Sequence, residues 1–456
     1  MTLNSATDLT QGPVGSHLTR MTIPMTWGLM SVMAVQLVDA YFVGQLGTDS
    51  LAAVGFAFPI MGLFTAFAFG IGAGASSVIA RAIGGGRHDM VRAYSTQSVL
   101  LGIVFAVCFA TLGLQTIDPL FLALGADPEV LPLIHDYLGW WYWGCPLVVV
   151  AMVGNAGIRA SGNIRTPAMI MTVAAVGNLI LDPILIFGLL GFPRMELAGA
   201  ALATVIAFFV TMLCALYVLK VRLKMISLSA CTFKVGQSWK DILHVAIPAS
   251  TTNLIEPMAV AIATWMVAGF GTVAVAGFGV ATRIENMCLF VVMSLAIIMG
   301  PFVGQNAGAG RPERVEKAVN LAYRFSIGFG IAIAVLMWVG GAWLTALFND
   351  DPQMLAVATT YLYLVPISYT LLGVIMVASA VANGIGSPGP ALVMSFTQLL
   401  VVFVPAAWLL SQQVGVTGIF IAAALANTVV GLGAMVWSRK RCAAMAVDRS
   451  AEPVPD

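Results

Sequence analysis

The chain is predicted to be an all-α polytopic membrane protein of about twelve transmembrane helices, in two six-helix lobes related by a pseudo-twofold axis along the membrane normal. Three observations predict it. Of 456 residues, 60% are apolar and only 9% charged, against about 25% charged in soluble domains. Apolar runs long enough to cross the roughly 30 Å hydrocarbon core recur through the whole sequence. The second half repeats the first 224 positions on: Ile23-Pro24 returns as Ile247-Pro248, Gly47-Thr48 as Gly271-Thr272, Asp127-Pro128 as Asp351-Pro352, and Tyr137-Leu138 as Tyr361-Leu362. Six helices per copy is an even number, so both copies enter the membrane from the same side as parallel repeats.

The first span, Ile23 to Leu46, follows a polar segment, Met1 to Leu18, that lacks the basic and apolar regions of a cleaved signal, so the span is expected to stay. Leu51 to Ile79 closes on the tight turn Gly84-Gly85-Gly86, and Tyr94 to Leu114 stops short of Asp118-Pro119. Leu131 to Val153 follows Asp127-Pro128. Pro167 to Leu190 is the fifth span, and Leu197 to Leu219 runs into the basic connector Lys220 to Lys240. The second set is Val245 to Phe270, Val275 to Phe302, Leu321 to Leu347, Met354 to Val381, Ala391 to Leu410 and Gly418 to Trp437. The chain thus divides into an N-terminal tail (1–19), a first lobe (20–220), a linker (221–240), a second lobe (241–439) and a C-terminal tail (440–456). The part after Arg441, with Pro453 and Pro455, is expected to be disordered.

Lys and Arg collect in cytoplasmic loops. Here they follow the even-numbered helices, as Arg87, Arg159, Lys220, Arg311 and Arg439 do, whereas the opposite loops hold Asp49, Asp118, Asp127, Glu129, Glu196, Asp350 and Asp351 with Arg194 as their one base. Both termini are therefore expected in the cytoplasm.

Several functions are set aside. A net charge of +1 with its bases in short loops gives no footprint for nucleic acid. The six cysteines are scattered without CxxC spacing, and His17, His88, His135 and His244 show no ligand spacing, so no metal site is expected. Neither Gly84-Gly85-Gly86-Arg87 nor Gly308-Ala309-Gly310-Arg311 has the Lys-Ser/Thr of a phosphate loop, which argues against an ATP-driven pump. The Gly-x-Gly-Asp of an intramembrane aspartyl protease is missing too, so the chain is not expected to be an enzyme.

The informative positions are ionisable residues inside the spans. A charge at a helix centre costs about 2.5–3.5 kcal/mol on insertion scales, so such residues usually face a polar cavity and have a task. Asp39 and Asp182 have no counterpart in the second half, where Ala263 and Val404 stand instead. Glu256 lies two turns before Ala263, and so on much the same face as Asp39 has in helix one. Pro183, a candidate helix-bending residue, and Pro257 follow Asp182 and Glu256, each freeing a carbonyl four residues earlier, Leu179 and Asn253. Asn178 shares a face with Asp182 one turn away. Glu285 and Arg283, two positions apart, do not face each other, and a structural pairing with another helix weighs equally with substrate contact. Arg324 is expected to snorkel, and Trp140, Trp141, Tyr142 and Trp143 to form an interfacial belt.

These residues resemble the multidrug and toxic compound extrusion (MATE) family. The resemblance rests on the six-plus-six duplication and on "IPMTWGLMSVMAVQLVDAYFVGQLG" with Pro24 and Asp39. It is carried further by "GNLILDPILIFG" with Asn178 and Asp182, and by "LAGAALAT" ending at Thr204. It is nearest the DinF-like branch and covers His17 to Trp437. The resemblance implies a first-lobe cation site of Asp39, Asp182, Asn178 and Thr204, with Asn155 as a further member and Pro24 as the point where helix one bends. Relatives with a second-lobe site add an acid in helix ten. Helix ten here has none, so Glu256 and Glu285 are second-lobe candidates only.

The expected activity is multidrug efflux by antiport across the bacterial inner membrane: amphipathic organic cations leave a cavity between the lobes in exchange for protons, with sodium the alternative coupling ion. No cofactor and no partner beyond drug and lipid is expected, and a monomer suffices. A flippase for lipid-linked precursors is the competing reading, and a channel another. The flippase would be expected to line its cavity with bases, for which Arg283 is the one deep candidate.

Overall fold

The computed structural model describes residues 8–348 and 351–450. Asp350 and the C-terminal prolines Pro453 and Pro455 lie outside the described residues. Those described fold into helices, with no strand among them. Among the described residues twelve helices are long and apolar enough to span a membrane: α1 (Val14–Gly44), α2 (Thr48–Gly84), α3 (His88–Ala123), α4 (Leu131–Ala160), α5 (Arg165–Phe187), α6 (Glu196–Arg222), α7 (Val235–Ala268), α8 (Thr272–Gly308), α9 (Pro312–Ala346), α10 (Pro352–Gly384), α11 (Gly389–Val414) and α12 (Val416–Met445). The last helix continues to Ser450, past Arg441, where the composition points to disorder.

Prolines act unevenly. α1 and α5 run unbroken through Pro24 and Pro183. In α10 a 3-10 turn, Pro366–Ser368, separates two α-helical pieces. In α11 the stretch Thr397–Phe403 is π-helical. Pro405, just beyond it, lacks an N–H and crowds the carbonyl four residues back, and the wider turn accommodates that loss.

The chain forms two compact units whose limits differ from the expected lobes. One comprises Ile23–Ser250; the other comprises Leu9–Thr22 and the described residues from Thr251 onward. The linker and the first half of α7 therefore belong with α2–α6, and the start of α1 belongs with α8–α12. Side-chain hydrogen bonds explain both displacements.

In the first unit, Gln97 of α3 donates to the carbonyls of Ala230 (3.0 Å) and Cys231 (2.6 Å), Trp239 donates to Gln97 (2.9 Å), and Tyr94 donates to Asp241 (2.6 Å). Gly70 and Gly74 of α2 let α7 come close, since a Cβ on Gly74 would lie 2.6 Å from the Ile242 carbonyl oxygen. In the second unit, Gln305, Asn306, Arg311 and Arg314 bind the backbone of Leu9 to Gly12, with Arg314 donating to the carbonyls of Leu9 (2.9 Å), Gln11 (3.2 Å) and Gly12 (2.8 Å). Arg311, read from the sequence as a topology signal, thus also helps to anchor a strap.

Each unit has its own apolar core. The aromatic run on α4 is split by helical geometry, because neighbouring side chains point about 100° apart. Trp140 and Trp143 are exposed, but Trp141 and Tyr142 are buried, with Trp141 5.0 Å from the Phe64 ring. The expected belt of four is therefore two surface residues and two core residues.

Candidate functional site

In the first unit α1 runs beside α5. A Cβ on Gly28 would lie 3.1 Å from Ala168 Cα, and the Ser31 and Thr172 hydroxyls are 3.3 Å apart. The contacts advance in the same direction on both helices, so about three turns further on α1 presents Asp39 where α5 presents Asn178 and Asp182. Asp182 is fully buried and lies within electrostatic reach of Asp39. Asp39 is half-buried, and one of its carboxylate oxygens is enclosed without a hydrogen-bond partner.

Asn178 joins α5 to α6. With its amide turned to satisfy both ends, the nitrogen donates to Asp182 Oδ2 at 3.2 Å and the oxygen accepts from the Thr204 backbone N–H at 3.2 Å. Such reach needs close backbones, and Gly199 provides them: a Cβ there would lie 2.7 Å from the Leu185 carbonyl. Pro183 frees the Leu179 carbonyl beside this cluster, while Pro24 lies well before Asp39 on α1.

Asn155 is not brought in. It lies 18 positions after Tyr137 on α4, about 27 Å along the helix, whereas Tyr137 is buried within electrostatic reach of both Asp39 and Asp182. Shared polarity suggests Asn155; position along the helix places it elsewhere.

The second unit holds a different carboxylate pair. Glu285 of α8 is half-buried and accepts a hydrogen bond from the Tyr361 hydroxyl of α10. Glu256 of α7, whose side chain is exposed, acts electrostatically on Glu285, and the buried Tyr369 is within reach of it as well. The two halves trade polarity at equivalent positions. Ala263 and Val404, the counterparts of Asp39 and Asp182, belong to the second core and its margin. Met61, the counterpart of Glu285, packs against the first core.

Sequence reasoning missed Tyr137, Tyr361 and Tyr369. The 224-residue repeat that carries Tyr137 into Tyr361 was the available signal; that both tyrosines face carboxylates is visible only in the fold. Chemically, two carboxylates in a low-dielectric setting repel, and a bound proton or monovalent cation relieves that repulsion. Among the described residues no group of three or more His, Cys, Asp or Glu is placed to hold a metal ion.

The MatE family profile matches residues 24–184 and 248–409, two segments whose starts are 224 positions apart. A protein of Shewanella oneidensis named an FAD transporter is 37% identical over 435 residues, covering 95% of this chain and 96% of that protein. The probable multidrug resistance protein YoeA of Bacillus subtilis is 27% identical, covering 92% and 96%. Among solved structures, the Vibrio cholerae MATE transporter VcmN in its bent form superposes with a TM-score of 0.90 at 31% identity, covering 95% of this chain and 98% of that one.

Proposed function

The chain belongs to the MatE family, and from that premise we propose that it is a secondary active exporter that expels amphipathic organic cations in exchange for protons. The carrying observation is the pair Asp39 and Asp182, set on neighbouring helices within electrostatic reach of each other, with an oxygen of Asp39 left as an acceptor. When both are ionised the site attracts a cationic substrate; when one binds a proton that attraction falls and the repulsion between α1 and α5 is relieved. Proton entry and substrate release are thereby linked through differential affinity for two states, with bending of α1 at Pro24 as the mechanical step.

Asn178 turns its N–H, not its oxygen, toward Asp182, which supports a proton over sodium, since a hard cation prefers a cage of oxygens. Glu256 and Glu285 form a second candidate coupling pair. The setting is a bacterial inner membrane with both termini cytoplasmic, and the exporter works as a monomer. Reconstituted vesicles given a pH gradient and, separately, a sodium gradient test this: ethidium movement driven by the pH gradient alone is expected, and movement driven by sodium alone overturns the proton assignment.

A second reading is export of a flavin dinucleotide. It is favoured by the relative from Shewanella oneidensis, which is 37% identical and carries the name FAD transporter. Counterflow of FAD in the same vesicles tests it directly.

A further inference from the structure

Two irregular turns of the second unit meet at one side chain. In α10 the 3-10 turn Pro366–Ser368 separates two α-helical pieces, and in α11 the stretch Thr397–Phe403 is π-helical. Asn427 of α12 joins them. Its amide nitrogen donates to the Ser368 hydroxyl at 2.9 Å, and its amide oxygen accepts from the Gln398 side chain at 2.7 Å. The Ser368 hydroxyl in turn donates to the Val365 carbonyl at 2.7 Å, across the break. Asn427 and Ser368 are both buried, and the reach between them needs close backbones. Gly431, one turn after Asn427 and so on the same face of α12, provides them: a Cβ there would lie 2.6 Å from Leu371 Cβ, three positions after Ser368.

The break divides two tyrosines that face one acid. Tyr361, in the first piece of α10, donates to Glu285 of α8. Tyr369, the first residue of the second piece, is 2% exposed and lies within electrostatic reach of the same carboxylate, but its enclosed hydroxyl has no hydrogen-bond partner among the described residues. The other titratable groups around Glu285 are Glu256 of α7 and Cys288 on its own helix. The internal repeat marks the same node: Ala201-Leu202-Ala203-Thr204 returns as Ala424-Leu425-Ala426-Asn427, 223 positions on. The position that meets Asn178 in the first unit fastens the α10 break in the second.

We propose that Asn427 is a positioning residue for the second-unit acid: by fastening the 3-10 turn of α10 it holds the Tyr369 hydroxyl short of Glu285, so that the carboxylate has one phenolic donor and not two. An unpaired buried hydroxyl is costly, so a released second piece would settle with Tyr369 on Glu285. The number of donors to a carboxylate sets how firmly it holds a proton. The bearing of this on transport rests on the reading of Glu256 and Glu285 as a second coupling pair.

The test follows Glu285 itself in the full chain, reconstituted in vesicles, through the infrared carbonyl band of its protonated form, identified as the band that Glu285→Gln removes. Asn427→Leu is expected to change the proton affinity of Glu285 about threefold or more, and adding Tyr369→Phe to that variant is expected to return it to the wild-type value. Ser368→Ala, which loses one hydroxyl, is expected to act like Asn427→Leu and stands in for it should the leucine variant not fold; Ser368→Thr, which keeps the hydroxyl, is expected to match wild type. An affinity unchanged in both Asn427→Leu and Ser368→Ala, a change that persists after Tyr369→Phe, or a Glu285 with no protonated band at any pH overturns the proposal. Ethidium export by Glu285→Gln tests the coupling pair on its own: a wild-type rate counts against that pair, whereas the infrared comparison decides the role of Asn427.

Discussion

Tyr137 and Tyr361 occupy the same position in the two halves, 224 residues apart, and both are buried facing acids of their own unit: Tyr137 lies within electrostatic reach of Asp39 and Asp182, and Tyr361 is hydrogen-bonded to Glu285. The acids they serve come from different helices: α1 and α5 in the first unit, α8 in the second. Duplication kept the hydroxyl and moved the charge around it.

Asp39→Asn and Asp182→Asn are each expected to reduce pH-driven export to background while leaving membrane insertion intact, because a neutral side chain cannot change affinity with proton binding. Drug resistance in cells and the yield of purified protein measure the two parts. Full resistance in cells carrying Asp39→Asn would refute the assignment.

Pro24→Ala is expected to slow turnover more than it weakens substrate binding, since the alanine restores a helical hydrogen bond at the point where the proposed mechanism has α1 bend. Initial export rates and equilibrium ethidium binding, compared on one preparation, check this. An unchanged rate counts against the bend.

Gly199→Ala places a methyl 2.7 Å from the Leu185 carbonyl and so drives α5 from α6, separating Asn178 from Thr204. A loss of about 1–3 kcal/mol is expected for such overpacking, read as a lowered Tm, together with impaired export. Gly177→Ala on α5, where a Cβ meets nothing within 4 Å, is the control expected to leave both unchanged.

Tyr361→Phe removes the hydrogen bond to Glu285 and leaves a half-buried carboxylate without that donor. A destabilisation of about 1–3 kcal/mol is expected, and Glu285→Gln in the same background should recover part of it. A Tm identical to wild type would show that the hydroxyl contributes nothing to holding the acid.

Arg314→Ala removes the donors to the carbonyls of Leu9, Gln11 and Gly12. Faster amide exchange or proteolysis across residues 9–12 is expected, with the transmembrane helices still protected. Unchanged protection there would mean that Gln305, Asn306 and Arg311 suffice to hold the strap.

Composition, hydropathy and the internal repeat by themselves determined the class of protein, the number of spans and the duplication, because lipid admits few ways to satisfy a backbone and hydrophobic length is written directly in the residues. They also singled out Asp39, Asp182 and Asn178, since a charge inside an apolar run is conspicuous wherever it lies. Only the tertiary structure decided which polar groups meet: it joined Asn178 to Thr204, left Asn155 out, set Tyr361 on Glu285, and assigned the two ends of α1 and of α7 to different units. Those outcomes depend on helix rotation, helix depth and the close approaches that single glycines allow, and none of these is a property of one segment read alone.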